Sequence, residues 1–149
     1  MPDWMKPVWM KQDWIKTMTA SNPAPENPKL SAMLSVRDGA RAIEFYQAAF
    51  GAKILFSLTE GSVIAQMVIG EAEFWLADES PEHQNFSPET LGGSTSRMVL
   101  VVDNPDAVFD QALAAGAKEV WPVADQSYRW RVGRLVDPFG HPWEIGKPL

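Results

Sequence analysis

Cysteine is absent from this 149-residue chain, which excludes disulfides, thiolate metal sites and cysteine nucleophiles. A basic excess is missing too. The formal net charge is −6, so neither nucleic acid nor an anionic membrane surface is an expected partner. No apolar run approaches the roughly 18 residues of a membrane span, and the N-terminus lacks the continuous apolar core of a signal peptide. The cytoplasm is the default expectation. No nucleophile elbow, zinc motif or phosphate loop appears, and the single glycine of Val36-Arg-Asp-Gly39 follows an aspartate as a helix start. What is present is the balance of a globular domain: 46% of residues are apolar and 21% charged, enough for one domain or two small modules sharing a core.

Residues 1–28 differ from the rest. Trp4-Met5-Lys6, Trp9-Met10-Lys11 and Trp14-Ile15-Lys16 recur with a five-residue period, interrupted by Pro7. Five residues advance a helix by roughly 500°, so successive indoles step about 140° around it and form no narrow stripe. Ser21 to Pro28 is a linker by composition, with prolines at 23, 25 and 28. Two readings stand: a Trp-rich arm that docks on a membrane, a partner subunit or its own domain, or an upstream extension with no folded role and a natural start at Met18.

The remainder, residues 29–149, repeats itself. A shift of 65 residues aligns the halves without a gap from Ser31 to Lys53: Ser31 with Ser96, Met33 with Met98, Asp38 with Asp103, and Gly51-Ala52-Lys53 with Gly116-Ala117-Lys118. Each copy has the pattern strand, helix, strand. Leu34 and Val36, then Val99 and Val101, give an apolar face at period two. Asp38, and Asp103 or Asn104 before Pro105, start the helices. Ile43, Tyr46 and Phe50 share one helical side, as do Val108, Ala112 and Ala115, and Gly51 and Gly116 suit the helix ends. Further strands are expected over 54–59, 63–69 and 73–78, and over 119–123, 132–136 and 142–146, with a tight turn at Asp137-Pro138-Phe139-Gly140. The fold class is therefore α+β: two tandem β-α-β-β-β modules, 29–79 and 95–149, forming a curled mixed sheet. Their connector, 80–94, is long enough to cross between modules and cover a pocket mouth.

Leu34-Ser-Val-Arg-Asp-Gly-Ala-Arg-Ala-Ile-Glu-Phe-Tyr46 with Phe50-Gly-Ala52 resembles the opening module of the glyoxalase/bleomycin-resistance/extradiol-dioxygenase (vicinal oxygen chelate) superfamily. Leu76-Ala-Asp-Glu79, Ser87-Pro88, Leu91-Gly-Gly93, Asp125-Gln126, Tyr128 and Asp137-Pro-Phe-Gly-His141 resemble its PhnB-like branch. The resemblance covers residues 30–147 and implies paired modules curled into a cup, a homodimer and a small ligand, with a divalent metal in the enzymes. In the metal-dependent members one ligand lies seven residues before the Asp that starts each helix, and another on each module's last strand. The matching positions here are Ser31, Trp75, Ser96 and Glu144. Serine hydroxyls are poor ligands for zinc, nickel or iron, and His83 and His141 lie elsewhere, so no metal and no cofactor is expected.

Alternation along the strands sorts the residues by face. Ser31, Met33 and Ser35, Ser96, Met98 and Leu100, Glu73, Trp75 and Ala77, and Pro142, Glu144 and Gly146 form the expected cup lining. Leu34/Val36, Val99/Val101, Phe74/Leu76 and Trp143/Ile145 form the expected core. Hydroxyls, thioethers, an indole and carboxylates make a ligand pocket, although Met33, Met98 and Trp75 also suit a filled interior. Glu144 in an apolar cup would serve as an acid or base, or would pair with Arg97, Arg129 or Arg131. In Asp125 to Arg131, Tyr128 and Trp130 alternate with Arg129 and Arg131. That pattern fits either a rim that stacks a planar ligand beside Arg131, or a dimer edge. The leading expectation is a metal-independent homodimer that sequesters a partly aromatic small molecule. Its rivals are a glyoxalase-like lyase or dioxygenase-related enzyme using Glu144, with or without a divalent metal, and an interaction module with a closed cup.

Overall fold

The computed structural model describes residues 3–5 and 24–149, so most of the Trp-rich leader lies outside the described residues. In the first module, Asp38 caps α1 (Gly39–Phe50) by accepting from the Arg41 backbone N–H, and Gly51 ends it in the left-handed region. Position 39 is glycine for a steric reason. Its N–H donates to Asp78 Oδ1 at 2.7 Å, and a Cβ there would lie 2.8 Å from that oxygen. β1 (Met33–Val36), β2 (Lys53–Leu58), β3 (Ile64–Ile69) and β4 (Ala72–Asp78) form a sheet in the order β1-β4-β3-β2. β1 is parallel to β4, a pairing that requires the long connection through α1 and the β2–β3 hairpin.

The second module repeats the plan. β5 (Met98–Val101), α3 (Pro105–Ala115), β6 (Lys118–Asp125), β7 (Trp130–Val136) and β8 (Pro142–Pro148) give the order β5-β8-β7-β6, again with the first and last strands parallel. Asn104 caps α3 through the Ala107 N–H, with Pro105 at the first helical position. Between the modules lie a 3₁₀ turn (Pro81–His83) and the single-turn α2 (Pro88–Leu91). The expected α+β architecture of two tandem modules is the observed one, built as two separate four-stranded mixed sheets.

The repeat contains a one-residue irregularity that the ungapped alignment hid. α1 has 12 residues and α3 has 11. The C-caps Gly51 and Gly116 keep the 65-residue offset, whereas the N-caps Asp38 and Asn104 stand 66 apart. The strand before α3 shifts with its cap, and its faces exchange. Leu100 is buried and Met98 packs against the core, while Val99 and Val101 are 58% and 55% exposed, the reverse of the expected assignment. On α3 the buried residues are Pro105, Phe109 and Ala112, with Val108 and Ala115 only half-buried.

Both sheets turn one face to a single core. Tyr46 and Phe50 of α1 reach across to Trp143 of β8, at ring-centroid distances of 5.6 and 4.7 Å, and Phe74 meets the same indole at 5.9 Å. At the centre the buried Asp137 accepts from the Tyr46 hydroxyl, Trp143 Nε1 and the backbone N–H groups of Phe139 and His141. Burial, reinforced by the Asp137 carboxylate, holds the Tyr46 phenol well above its ordinary value of 10.0. The native state therefore keeps Tyr46 protonated where the unfolded chain would ionise it. This contribution is complete below pH ~10 and falls away above it, by about 1.4 kcal/mol per pH unit, until the raised native value is reached. In denaturant unfolding at stepped pH, Tyr46→Phe is expected to remove this alkaline slope relative to the parent chain; equal slopes in both proteins would refute the coupling.

Among the described residues, no helix is long and apolar enough to cross a membrane.

Candidate functional site

Strand register places two equivalent rows on the sheet faces turned away from the core. In the first sheet the row is Met33, Trp75, Gln66 and Phe56. In the second it is Val99, Glu144, Arg134 and Trp121. The first row is neutral, with Gln66 buried and the Phe56 and Trp75 rings 6.3 Å apart. The second is charged. Arg134 donates to Glu144 Oε1 at 2.7 Å, its guanidinium lies 5.4 Å from the Trp121 ring, and Arg97 Nε approaches the same carboxylate oxygen at 3.3 Å. Of the expected partners of Glu144, Arg97 is present; Arg129 and Arg131 are replaced by Arg134.

A cavity of about 610 Å³ opens along the seam between the two sheets. Ser31 and Glu73 contribute from the first module, and Arg97, Met98, Val99 and Leu100 from the second. Lys29 pairs with Glu73 at 2.6 Å, and Gln66 Nε2 donates to that carboxylate at 3.2 Å. A second hollow, about 140 Å³, is bounded by Met33, Ser35, Ala77, Asp78 and Asn85. Asn85 belongs to the connector, which is anchored where Glu79 accepts from Thr90 Oγ1 and the Ser87 N–H beside Arg37. Although burial pushes the Glu79 carboxyl up, those hydrogen bonds and the Arg37 charge hold it below the usual range.

The twelve expected site residues therefore do not form one cup. Ser31 and Glu73 line the seam; Met33 and Ser35 line the smaller hollow; Trp75 stands half-buried in the first row. Met98 and Leu100 border the seam from the core side of β5, opposite the face that carries Glu144. Ser96 lies in the exposed segment before β5, and Arg97 occupies the position seven residues before the true helix cap. Tyr128 is 62% exposed at the β6–β7 turn, followed by Arg129 at φ 65°, and Trp130 begins β7. Arg131 is tied to Asp106 at 2.7 and 2.8 Å and to Asp125 at 3.0 Å, and so braces α3 against the sheet. Sequence reasoning missed Arg134, Trp121 and the outward placement of Val99. A signal for Arg97 existed in Asn104-Pro105, a stronger helix start than Asp103.

With the register corrected, the four positions equivalent to metal ligands are Ser31, Trp75, Arg97 and Glu144. A hydroxyl, an indole and a guanidinium do not hold a divalent cation, and the one carboxylate is engaged by two arginines. Among the described residues, no three His, Asp or Glu side chains gather as a metal-binding group. The donor set does not fit a metal.

Comparison with known proteins gives a consistent picture. Residues 30–145 match the family model described as Glyoxalase/Bleomycin resistance protein/Dioxygenase superfamily. An uncharacterized protein of Mycobacterium bovis, Mb0911c, is 38% identical over 128 residues, covering 82% of this chain and 84% of the relative. Among solved structures, TioX from Micromonospora sp. ML1 superposes with a TM-score of 0.66 at 25% identity, covering 83% of this chain and all of that one. A gene product of Arabidopsis thaliana superposes with a TM-score of 0.67 at 25% identity, covering 81% of this chain and 99% of that one.

Proposed function

This chain belongs to the glyoxalase/bleomycin resistance protein/dioxygenase superfamily, and on that footing we propose that it is a metal-independent binding protein that sequesters a partly aromatic small molecule. One observation carries the reading: the positions equivalent to metal ligands hold Ser31, Trp75, Arg97 and Glu144, with the Glu144 carboxylate taken by Arg97 and Arg134. The open seam, about 610 Å³ and bordered by Met98, Val99 and Leu100, supports a ligand space over a closed interior. The half-exposed Met33 on the outer face of the first sheet supports a homodimer in which a second copy covers it. Leu76-Ala-Asp-Glu79 and Asp137-Pro-Phe-Gly-His141 favour the PhnB-like branch, and we assign the protein to the cytoplasm.

Incubation with zinc, nickel or iron followed by dialysis is expected to leave far less than one metal per chain, in particles of dimeric mass by light scattering. Planar aromatic compounds are expected to raise the melting temperature of the same sample. Stoichiometric metal lost in Glu144→Gln, or no thermal shift with any aromatic compound, would overturn the proposal. The first result would restore the rival reading, an enzyme that uses Glu144.

A further inference from the structure

Two guanidiniums meet one carboxylate on the outer face of the second sheet. Arg134 Nη2 and Nε both reach Glu144 Oε1, at 2.7 and 3.3 Å, and Arg97 Nε reaches the same oxygen at 3.3 Å. Arg134 Nη1 and both Nη groups of Arg97 have no protein acceptor among the described residues. Anchoring the sheet would need only one arginine. Nor does the fold demand this cluster, because the equivalent row of the first module is the neutral set Met33, Trp75, Gln66 and Phe56. At the adjoining seam, Lys29 and Glu73 pair at 2.6 Å and cancel. One positive charge is left in excess, at a cavity mouth, in a chain whose net charge is −6.

We infer that this face receives the anionic group of the ligand, a carboxylate or similar oxyanion, between Arg97 and Arg134, while the ligand's flat apolar body passes Val99 into the seam. This rests on the small-molecule-binding reading and adds the ligand's charge to it. A planar guanidinium offers parallel donors that match a carboxylate's two oxygens. The Trp121 indole beneath Arg134 and the shared Glu144 oxygen hold the fork in place before the ligand arrives, which reduces the ordering cost of binding.

Calorimetric titration of the full chain with 2-naphthoate, neutral 2-naphthamide and 2-naphthylmethylammonium tests the charge separately from the apolar body. The acid is expected to bind on the order of tenfold more tightly than the amide, and the ammonium compound more weakly than either. Arg134→Met and Arg97→Met should each erase most of the preference for the acid. Arg97 is half exposed, so its replacement does not endanger folding. Glu144→Gln should move the other way, strengthening naphthoate binding severalfold while leaving naphthamide unchanged. Equal binding of acid and amide, preference for the ammonium compound, or an Arg97→Met variant with the parent's selectivity would overturn the anion assignment and leave small-molecule binding standing. Failure of all three compounds to bind would sink both.

Discussion

Replacing Asp137 with alanine is expected to cost about 4 kcal/mol or more of stability, the largest loss from any single polar substitution in this chain. The carboxylate is 3% exposed and accepts from four donors: Tyr46, Trp143 and the Phe139 and His141 backbones. Truncation strands those donors in an aromatic interior, and each unsatisfied group costs about 1–3 kcal/mol. Asparagine keeps an acceptor of the same shape and should recover part of the loss, so the informative comparison is Asp137→Asn against Asp137→Ala in urea unfolding. If both cost under about 1 kcal/mol, the hub does not hold the modules together. Because Tyr46 belongs to the first module and Asp137 to the second, the loss should appear as one cooperative transition at lower denaturant, with no separate early melting of either half.

Trp143→Ala is the apolar counterpart and should cost about 3–5 kcal/mol. The indole is 3% exposed and packs on Phe50, Tyr46 and Phe74 while donating to Asp137, so its removal combines a cavity with an unmatched acceptor. The double variant with Asp137→Ala should lose clearly less than the two single losses added, because both act on one network. Additive losses would refute the coupling. Trp143 also borders the seam, so a variant that survives should have a deeper cavity and an altered preference for ligand size.

Much of this fold is legible in the sequence, for identifiable physical reasons. The capping residues Asp38 and Asn104, the terminating Gly51 and Gly116, and the helical spacing of Ile43, Tyr46 and Phe50 each act locally, so local reasoning finds them. The outer face of β5 was not legible. In Met98-Val-Leu-Val101 all four residues are apolar, so alternation carries no information about which pair points inward. The decision passed to the repeat, and one residue fewer in α3 inverted it. That single slip put Ser96 where Arg97 belongs and hid the guanidinium that faces Glu144. Arg134 escaped for a different reason. Its partnership with Glu144 and Trp121 is set by strand register, and β6 pairs with β7 through two irregularities that no local pattern announces. Arg131, the more conspicuous arginine in sequence, has its donors spent on Asp106 and Asp125.

The shared core also imposes an order on biosynthesis. Tyr46 leaves the ribosome 91 residues ahead of the aspartate that receives its hydroxyl, and Phe50 and Phe74 likewise precede the indole that covers them. The first half can form its own strands and helix as it emerges, but its aromatic surface stays open until the last hairpin arrives. Translation of the connector and second module is thus an interval of exposure, when association with another nascent chain competes with correct closure. Anything that shortens the C-terminal hairpin leaves the whole chain, and not just its end, in the state a chaperone would recognise.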